Sequence, residues 1–234
     1  VNQSVAGWMT LAVLSITAGC SGSDDASPAD DRTVAAESAL DVRANGCGPR
    51  EGFGTAALVS DDRAVTAAHV VAGADDVRVI DQTGTEHPAD VVFFDPDLDV
   101  AVLAVPDDLG TPLDVSSEAP DAGAAGVVGF SRLEDGTVRV RVVDVEVLRN
   151  VNIATTDIYL DADVDRPGFE VDAEIDPGDS GGVVVIDGKA AGIIWARSNA
   201  NEGRAWAIDI PDAIGDRAQL ATLTDPVDTG SCIR

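Results

Sequence analysis

The sequence predicts an all-β fold, and three observations carry the prediction. Short Val-rich apolar runs recur at roughly ten-residue spacing between turn signals, the pattern of strands joined by tight connections. The chain holds 23 glycines and only 4% aromatic residues, so its core must be assembled from Val, Ala, Ile and Leu on pleated surfaces. Helical periodicity is almost absent, which leaves a barrel or a sandwich.

In order, the candidate strands are 53–59, 63–67, 76–80, 89–94, 100–105, 125–129, 137–148, 168–172, 182–186, 190–197 and 204–209. The segments "DDR", "AGADD", "TGTE", "EDG" and "DGK" supply turns between them. A Pro- and acid-rich stretch, 106–123, separates two strand groups of similar size. Near the end, "IPDAIGDRAQLATL" reads as a helix, with Asp212 the expected cap after Pro211. With 234 residues there is room for one large or two small domains.

The first residues have a different character. "GWMTLAVLSITAGC" is an uncharged apolar run of roughly a dozen residues, short for a membrane span and of the length of a signal-peptide core. Residues 1–19 are therefore expected to be a signal peptide. "TAGC" resembles a bacterial lipobox, which would make Cys20 a lipidated residue facing the extracytoplasmic side of the cell membrane. Thr17 and the lack of a basic residue in "VNQS" depart from that pattern, and an ordinary secretory signal is the other reading. Residues 20–44 are small, polar and acidic, and are expected to form a disordered tether. The folded domain is then expected over 45–234.

Composition narrows the partners. The formal charge of −27 repels nucleic acid phosphates and anionic headgroups, so nucleic acid is excluded as a partner. Lys189 is the only lysine. Acid-rich, lysine-poor chains suit high ionic strength, and a GC-biased genome that writes Arg for Lys gives the same composition. If Cys20 carries lipid, Cys47 and Cys232 remain as an even pair, which in an exported protein argues for a disulfide; two free thiols are the alternative.

Three short motifs carry chemistry. "PGDSGG", 177–182, places Ser180 between glycines that allow close backbone approach and amides aimed at one spot. A bare "DSG" would be a hairpin turn, but a serine nucleophile beside an oxyanion hole needs the same features. Such a serine needs a base and an acid to orient it. His69 ends a strand in "AVTAAHVV", whereas His87 in "TGTEHPAD" reads as an exposed turn residue with no role. In "FFDPDLDVAVLAV", Asp95 and Asp97 fall in an Asp-Pro turn and are expected to be solvated. Asp99 directly precedes the apolar strand and is the carboxylate placed for partial burial.

Together "TAAH", "DLDVAVL" and "GDSGG", in the order His, Asp, Ser, resemble the chymotrypsin-like (trypsin-like) serine proteases from about Cys47 to the C-terminus. "GFGTAALVSDDRAVTAAHVVAGADDVRV", "GAAGVVGF", "DIYLDADV" and "PVDTGSCIR" are similar to the protease domain of the periplasmic acid-resistance (MarP-like) group, which carries a cysteine at each end. HtrA proteases share the "TAAHV" and "DLAVL" patterns, the second written "DVAVL" here, but append PDZ domains, for which this sequence is expected to have no room after the motif.

The resemblance implies two six-stranded antiparallel β-barrels, over 45–110 and 124–211, joined by a linker over 111–123 and followed by a helix and tail over 212–234. It implies Ser180 as nucleophile, His69 as general base and acid, Asp99 as the orienting acid, and the amides of Gly178 and Ser180 as oxyanion hole. Gly181 and Gly182 would let the following strand pack closely. Protein or peptide substrates are implied, with no cofactor and no metal. In digestive relatives the acid before the nucleophile pairs with a newly cut N-terminus; "GPREGFGTAALV" offers none, so Asp179 is satisfied otherwise or its loop switches between states. The primary pocket is expected near Glu174, Ile175, Ala196 and Arg197. Glu174 favours a basic substrate side chain, whereas Arg197 and Arg204 oppose it.

Two other classes fit parts of the sequence. One is a catalytically silent protease-fold binding module on the cell surface, for which three triad types and both oxyanion residues have no use. The other is an esterase with a Gly-x-Ser-x-Gly elbow. In that fold a helix follows the serine and the histidine trails it, whereas here a strand follows and His69 precedes.

Overall fold

The structure, a computed structural model, describes residues 28–48, 51–199, 201–215 and 217–233. The expected signal peptide, Cys20 and tether residues 20–27 lie outside the described residues.

Six strands form the first barrel: β1 (Ala39–Asn45), β2 (Gly52–Ser60), β3 (Arg63–Thr66), β4 (Asp76–Ile80), β5 (Glu86–Asp95) and β6 (Val100–Ala104). They close in the order β1-β2-β3-β6-β5-β4, with β4 returning antiparallel to β1. Along β2 the side chains alternate as the pleat requires. Ala56 and Leu58 join Leu40, Val42, Val79 and Leu103 inside the barrel, while Ala57 and Val59 face the other way.

The second sheet contains β8 (Ala125–Glu134), β9 (Thr137–Thr156), β10 (Asp163–Val171), β11 (Val183–Ile186), β12 (Lys189–Arg197) and β13 (Ala205–Asp209). Its order is β11-β8-β9-β10-β13-β12, and β11 also pairs with β12, so it too closes into a ring. Phe130, Phe169, Val147, Val184 and Ile194 fill it. A third apolar slab lies between the barrels, where Ala57, Val59 and Val102 meet Val127, Val183, Ile193 and Ile208. Eleven sequence-predicted strands recur here as β2–β6 and β8–β13.

The structure corrects three boundaries. Residues 28–44 are not tether: α1 (Pro28–Ser38) lies against β8, β9 and β11, and β1 completes the first barrel. Leu40 and Val42 are buried inward, and buried Asp41 accepts the Leu133 amide of β8 at 2.7 Å while pairing with Arg43. Asp31 of α1 accepts the Gly188 amide at 2.6 Å. Within the expected linker, β7 (Asp114–Val115) runs parallel to β12. The C-terminal helix starts earlier and is split into α3 (Ile210–Ile214) and α4 (Arg217–Leu220), because Gly215 adopts φ 70° after the first. Its N-cap is Asp209, not Asp212, since Pro211 already occupies the first turn, where its missing N–H costs nothing.

Cys47 and Cys232 form a disulfide, with their Cα atoms 5.5 Å apart and a sequence separation of 185. The tail reaches it along the first barrel, where Val227 donates to the Val91 carbonyl at 2.8 Å and Gly73 donates to Thr229 at 2.9 Å. The bridge thus fastens the C-terminus just after α2 (Ala68–Val71). The loop-entropy model allows at most about 5 kcal/mol for such a span, and half of that would move Tm by roughly 5–10 °C for a domain of this size. Peptide mapping should find both cysteines alkylated only after reduction, with a Tm drop of that order; alkylation without reductant would contradict the bridge.

Candidate active site

The short helix α2 follows β3 through Ala67 and Ala68, both without exposed surface, and their small size lets α2 sit on β1, β2 and β6. His69 therefore stands at the barrel rim with its side chain one-quarter exposed. Asp99 ends the turn after β5 in the left-handed region, at φ 61°, which Asp tolerates better than a branched residue. That turn aims its buried carboxylate at the imidazole. Nδ1 of His69 lies 2.9 Å from Oδ2 and 3.1 Å from Oδ1 of Asp99, and the His69 amide donates to Oδ1 at 2.8 Å. With Nδ1–H given to Asp99, Nε2 is left as acceptor, the tautomer a general base requires.

Burial works against the imidazolium, the Asp99 charge and hydrogen bond work for it, and Arg166 opposes it; the result is a His69 pKa above the ordinary value. Asp95 and Asp97 behave as expected of turn carboxylates: Asp95 Oδ1 accepts the Asp97 and Leu98 amides, and neither reaches His69. His87 is tied to Asp81 at 2.8 Å.

Ser180 comes from the other barrel. Its carbonyl accepts the Thr55 amide of β2 at 2.8 Å, and Gly181 donates to Ile194 of β12 at 2.8 Å. Gly181 has φ 88°, and a Cβ there would fall 2.0 Å from the Thr55 carbonyl, so only glycine allows the loop to touch the first barrel. The expectation that Gly181 serves the following strand is thus refined: its close neighbour is β2. Gly182 instead lies against the Phe130 ring of β8. The position of a Cβ on Gly54 would lie within 2.9 Å of both the Ser180 carbonyl and Val70, the residue after His69. The serine loop and α2 therefore flank the same point.

Among the described residues the Ser180 hydroxyl makes no hydrogen bond, and the amides of Gly178 and Ser180 donate to no protein group. Gly178 has φ 99°.

Asp179 finds its partners within the chain. It is buried, pairs with Arg141, lies 3.6 Å from Arg132 and accepts the Asp176 amide at 2.7 Å. Burial still holds its carboxyl above the usual range against these partners. Of the two alternatives for Asp179, the structure has it satisfied without a cut N-terminus. Arg132 and Arg141 lie on β8 and β9, about forty residues away in sequence, where no local signal marks them.

Glu174, Ile175 and Arg197 line a cavity of about 580 Å3 with Asp176, Glu202 and Arg204. Ala196 does not line it; its side of β12 faces a smaller cavity of about 310 Å3 with His69, Asp99, Arg166 and Trp195. Arg204 is drawn to buried Glu170 at 3.3 Å, with Arg149 on the same carboxylate at 2.7 Å. It therefore opposes Glu174 less than its place in the sequence suggests.

Residues 54–193 match the trypsin-like peptidase domain family. The chain belongs to that family. It is 31% identical over 186 residues to the serine protease Rv3671c of Mycobacterium tuberculosis, covering 77% of this chain and 45% of that protein. It is 33% identical over 178 residues to a DegP-like periplasmic serine endoprotease of Halomonas elongata, covering 73% and 35%. The chain thus spans less than half the length of the curated relatives it matches. Among solved structures, the active form of the Rv3671c protease superposes with TM-score 0.76 at 29% identity, covering 88% of this chain and 91% of that one. An inactive form of the same protein gives 0.66, with 85% and 94% covered. As a member of that family, the chain has its fold, with both rings in place.

Proposed function

We propose that this protein is a serine endopeptidase that cuts peptide bonds through Ser180, His69 and Asp99, exported and held at the cell membrane by lipid on Cys20. The observation that carries the reading is the double contact of Asp99 with His69, which fixes the tautomer a base needs. His69 Nε2 takes the Ser180 proton as Oγ attacks the substrate carbonyl carbon. The oxyanion that forms is held by the Gly178 and Ser180 amides, which have no other acceptor among the described residues. His69 then gives the proton to the departing amine, leaving an acyl-enzyme. Water, deprotonated by the same nitrogen, releases the acid and restores Ser180. Supporting the anchor is the "TAGC" sequence at the end of the apolar run.

The pocket charges argue for a basic side chain on the acyl side of the cut. Among the described residues Glu174, Asp176 and Glu202 line the cavity without an ion pair, against Arg197 alone, because Arg141 and Arg204 are held by Asp179 and Glu170. The full chain should therefore hydrolyse peptides after Arg faster than after Leu or Asp. Glu174→Gln should lower kcat/KM for the Arg substrate about fivefold, the scale of one exposed pair at about 1 kcal/mol. A preference for Leu unaffected by that change would contradict the pocket assignment, and no hydrolysis of any peptide would contradict the function.

A further inference from the structure

Arg166 is a buried cation that the chemistry above does not use. It projects from β10 with 2% of its surface exposed, while its neighbour Asp165 and the strand's Asp163 are exposed to solvent. Burying a guanidinium is costly unless its donors and charge are met. Nε donates to the Asp97 carbonyl at 2.6 Å and Nη2 to the Thr156 carbonyl at 3.0 Å. The Trp195 ring covers the guanidinium, with its carbon 4.5 Å from the ring centre, the range of a cation–π contact. Nη1 points along Asp99, 4.0 Å from Oδ2. Thr156 and Trp195 hold the guanidinium from β9 and β12, and its remaining partners, the Pro96 and Asp97 carbonyls and the Asp99 carboxylate, all belong to the turn that ends in Asp99.

Resting on the reading of His69 as base and Asp99 as its orienting acid, we infer that Arg166 is a positioning residue, which locks the Asp99 turn and partly neutralises the acid beside the base. The lock acts through the backbone. Asp99 sits in a left-handed conformation, and the carbonyl two residues earlier is the acceptor that Arg166 holds. The charge acts through space. At 4.0 Å the guanidinium is beyond a hydrogen bond to Asp99 but well inside the reach of an electrostatic interaction, and Trp195 limits screening by water.

The charged groups around the pair settle the sign. Asp99, Asp157, Asp95 and Asp97 all favour the Arg166 cation against the burial that disfavours it. His69 is faced by Asp99 from the β5–β6 turn and by Arg166 from β10, and α2 itself carries no other titratable group. Asp99 stabilises the imidazolium and Arg166 opposes that. Removing the cation should therefore raise the His69 pKa, which leaves less neutral base at acidic pH.

The test follows imidazole titration by NMR in the full chain carrying Ser180→Ala, which has two histidines to assign, His69 and His87. Arg166→Gln is polar and neutral, and should move the His69 midpoint up by about one unit, the scale of a nearby charge. His87, held by Asp81 elsewhere, should not move. Arg166→Lys keeps the charge but loses the fork. Its midpoint should stay within a few tenths of wild type, while in the Ser180 chain it should lower kcat with little change in KM. The acidic limb of kcat/KM should shift upward in Arg166→Gln only. An unmoved His69 midpoint in Arg166→Gln would overturn the inference. If that variant does not fold, a Lys midpoint raised by a full unit would overturn it as well. The titration does not depend on turnover, so failure of the protease reading and failure of this one are told apart.

Discussion

Ser180→Ala is expected to lower turnover about 10⁶-fold, the loss seen when the nucleophile of a triad is removed. The size follows from covalent chemistry: without Oγ there is no acyl-enzyme, and His69 has nothing to deprotonate but water. The fold should be spared. The Ser180 hydroxyl makes no hydrogen bond among the described residues, and the loop is held by backbone contacts from Ser180 and Gly181 to Thr55 and Ile194. Circular dichroism and Tm should match wild type while peptide hydrolysis falls to background. A variant that kept more than about one-hundredth of wild-type turnover would assign the nucleophile elsewhere.

Asp99→Asn should cost about 10⁴ in kcat, because the orienting acceptor becomes partly a donor. An amide NH2 turned toward Nδ1 selects the other tautomer, with the proton on Nε2, where it can no longer accept from Ser180. Asn also adopts left-handed backbone readily, so φ 61° at this position should survive the change. Asp97→Asn should remain near wild type, since Arg166 holds the Asp97 carbonyl and not its side chain. Asp95→Asn should also stay within a few-fold, because an amide oxygen can still accept from Asp97 and Leu98. Steady-state kinetics of the three variants, with KM reported separately, checks the register. Sensitivity at Asp97 in place of Asp99 would show that the acid is misassigned.

What could be read in the sequence was what local pattern encodes. The eleven strands announced themselves by alternation and flanking turns, and the motifs around His69, Asp99 and Ser180 carried small residues where the backbone needs room. What was missed depended on distant partners. β1 reads as tether in the sequence because its neighbours are acidic, although Leu40, Val42 and Ala44 alternate as a strand should; closure against β4 is what makes them core. Asp41 in the same strand is buried because it accepts the Leu133 amide from the other barrel, a partner no local pattern announces. Arg132, Arg141 and Arg166 are three arginines among many acids along the strands. Only the assembled rings bring the first two to Asp179 and the third to Asp99. The balance of Arg204 against Glu174 depends on Glu170, which engages the arginine from β10 and lies far from it in sequence.

The central claim is that one serine is made nucleophilic by this arrangement, and covalent capture tests it most directly. The full chain should react with a fluorophosphonate, and mass mapping should place one adduct on Ser180. Reaction should slow as pH falls through the raised His69 pKa, because the base is then protonated. It should be abolished in Ser180→Ala and strongly slowed in Asp99→Asn. An adduct on any other residue, or equal labelling of the Ser180→Ala chain, would contradict the account.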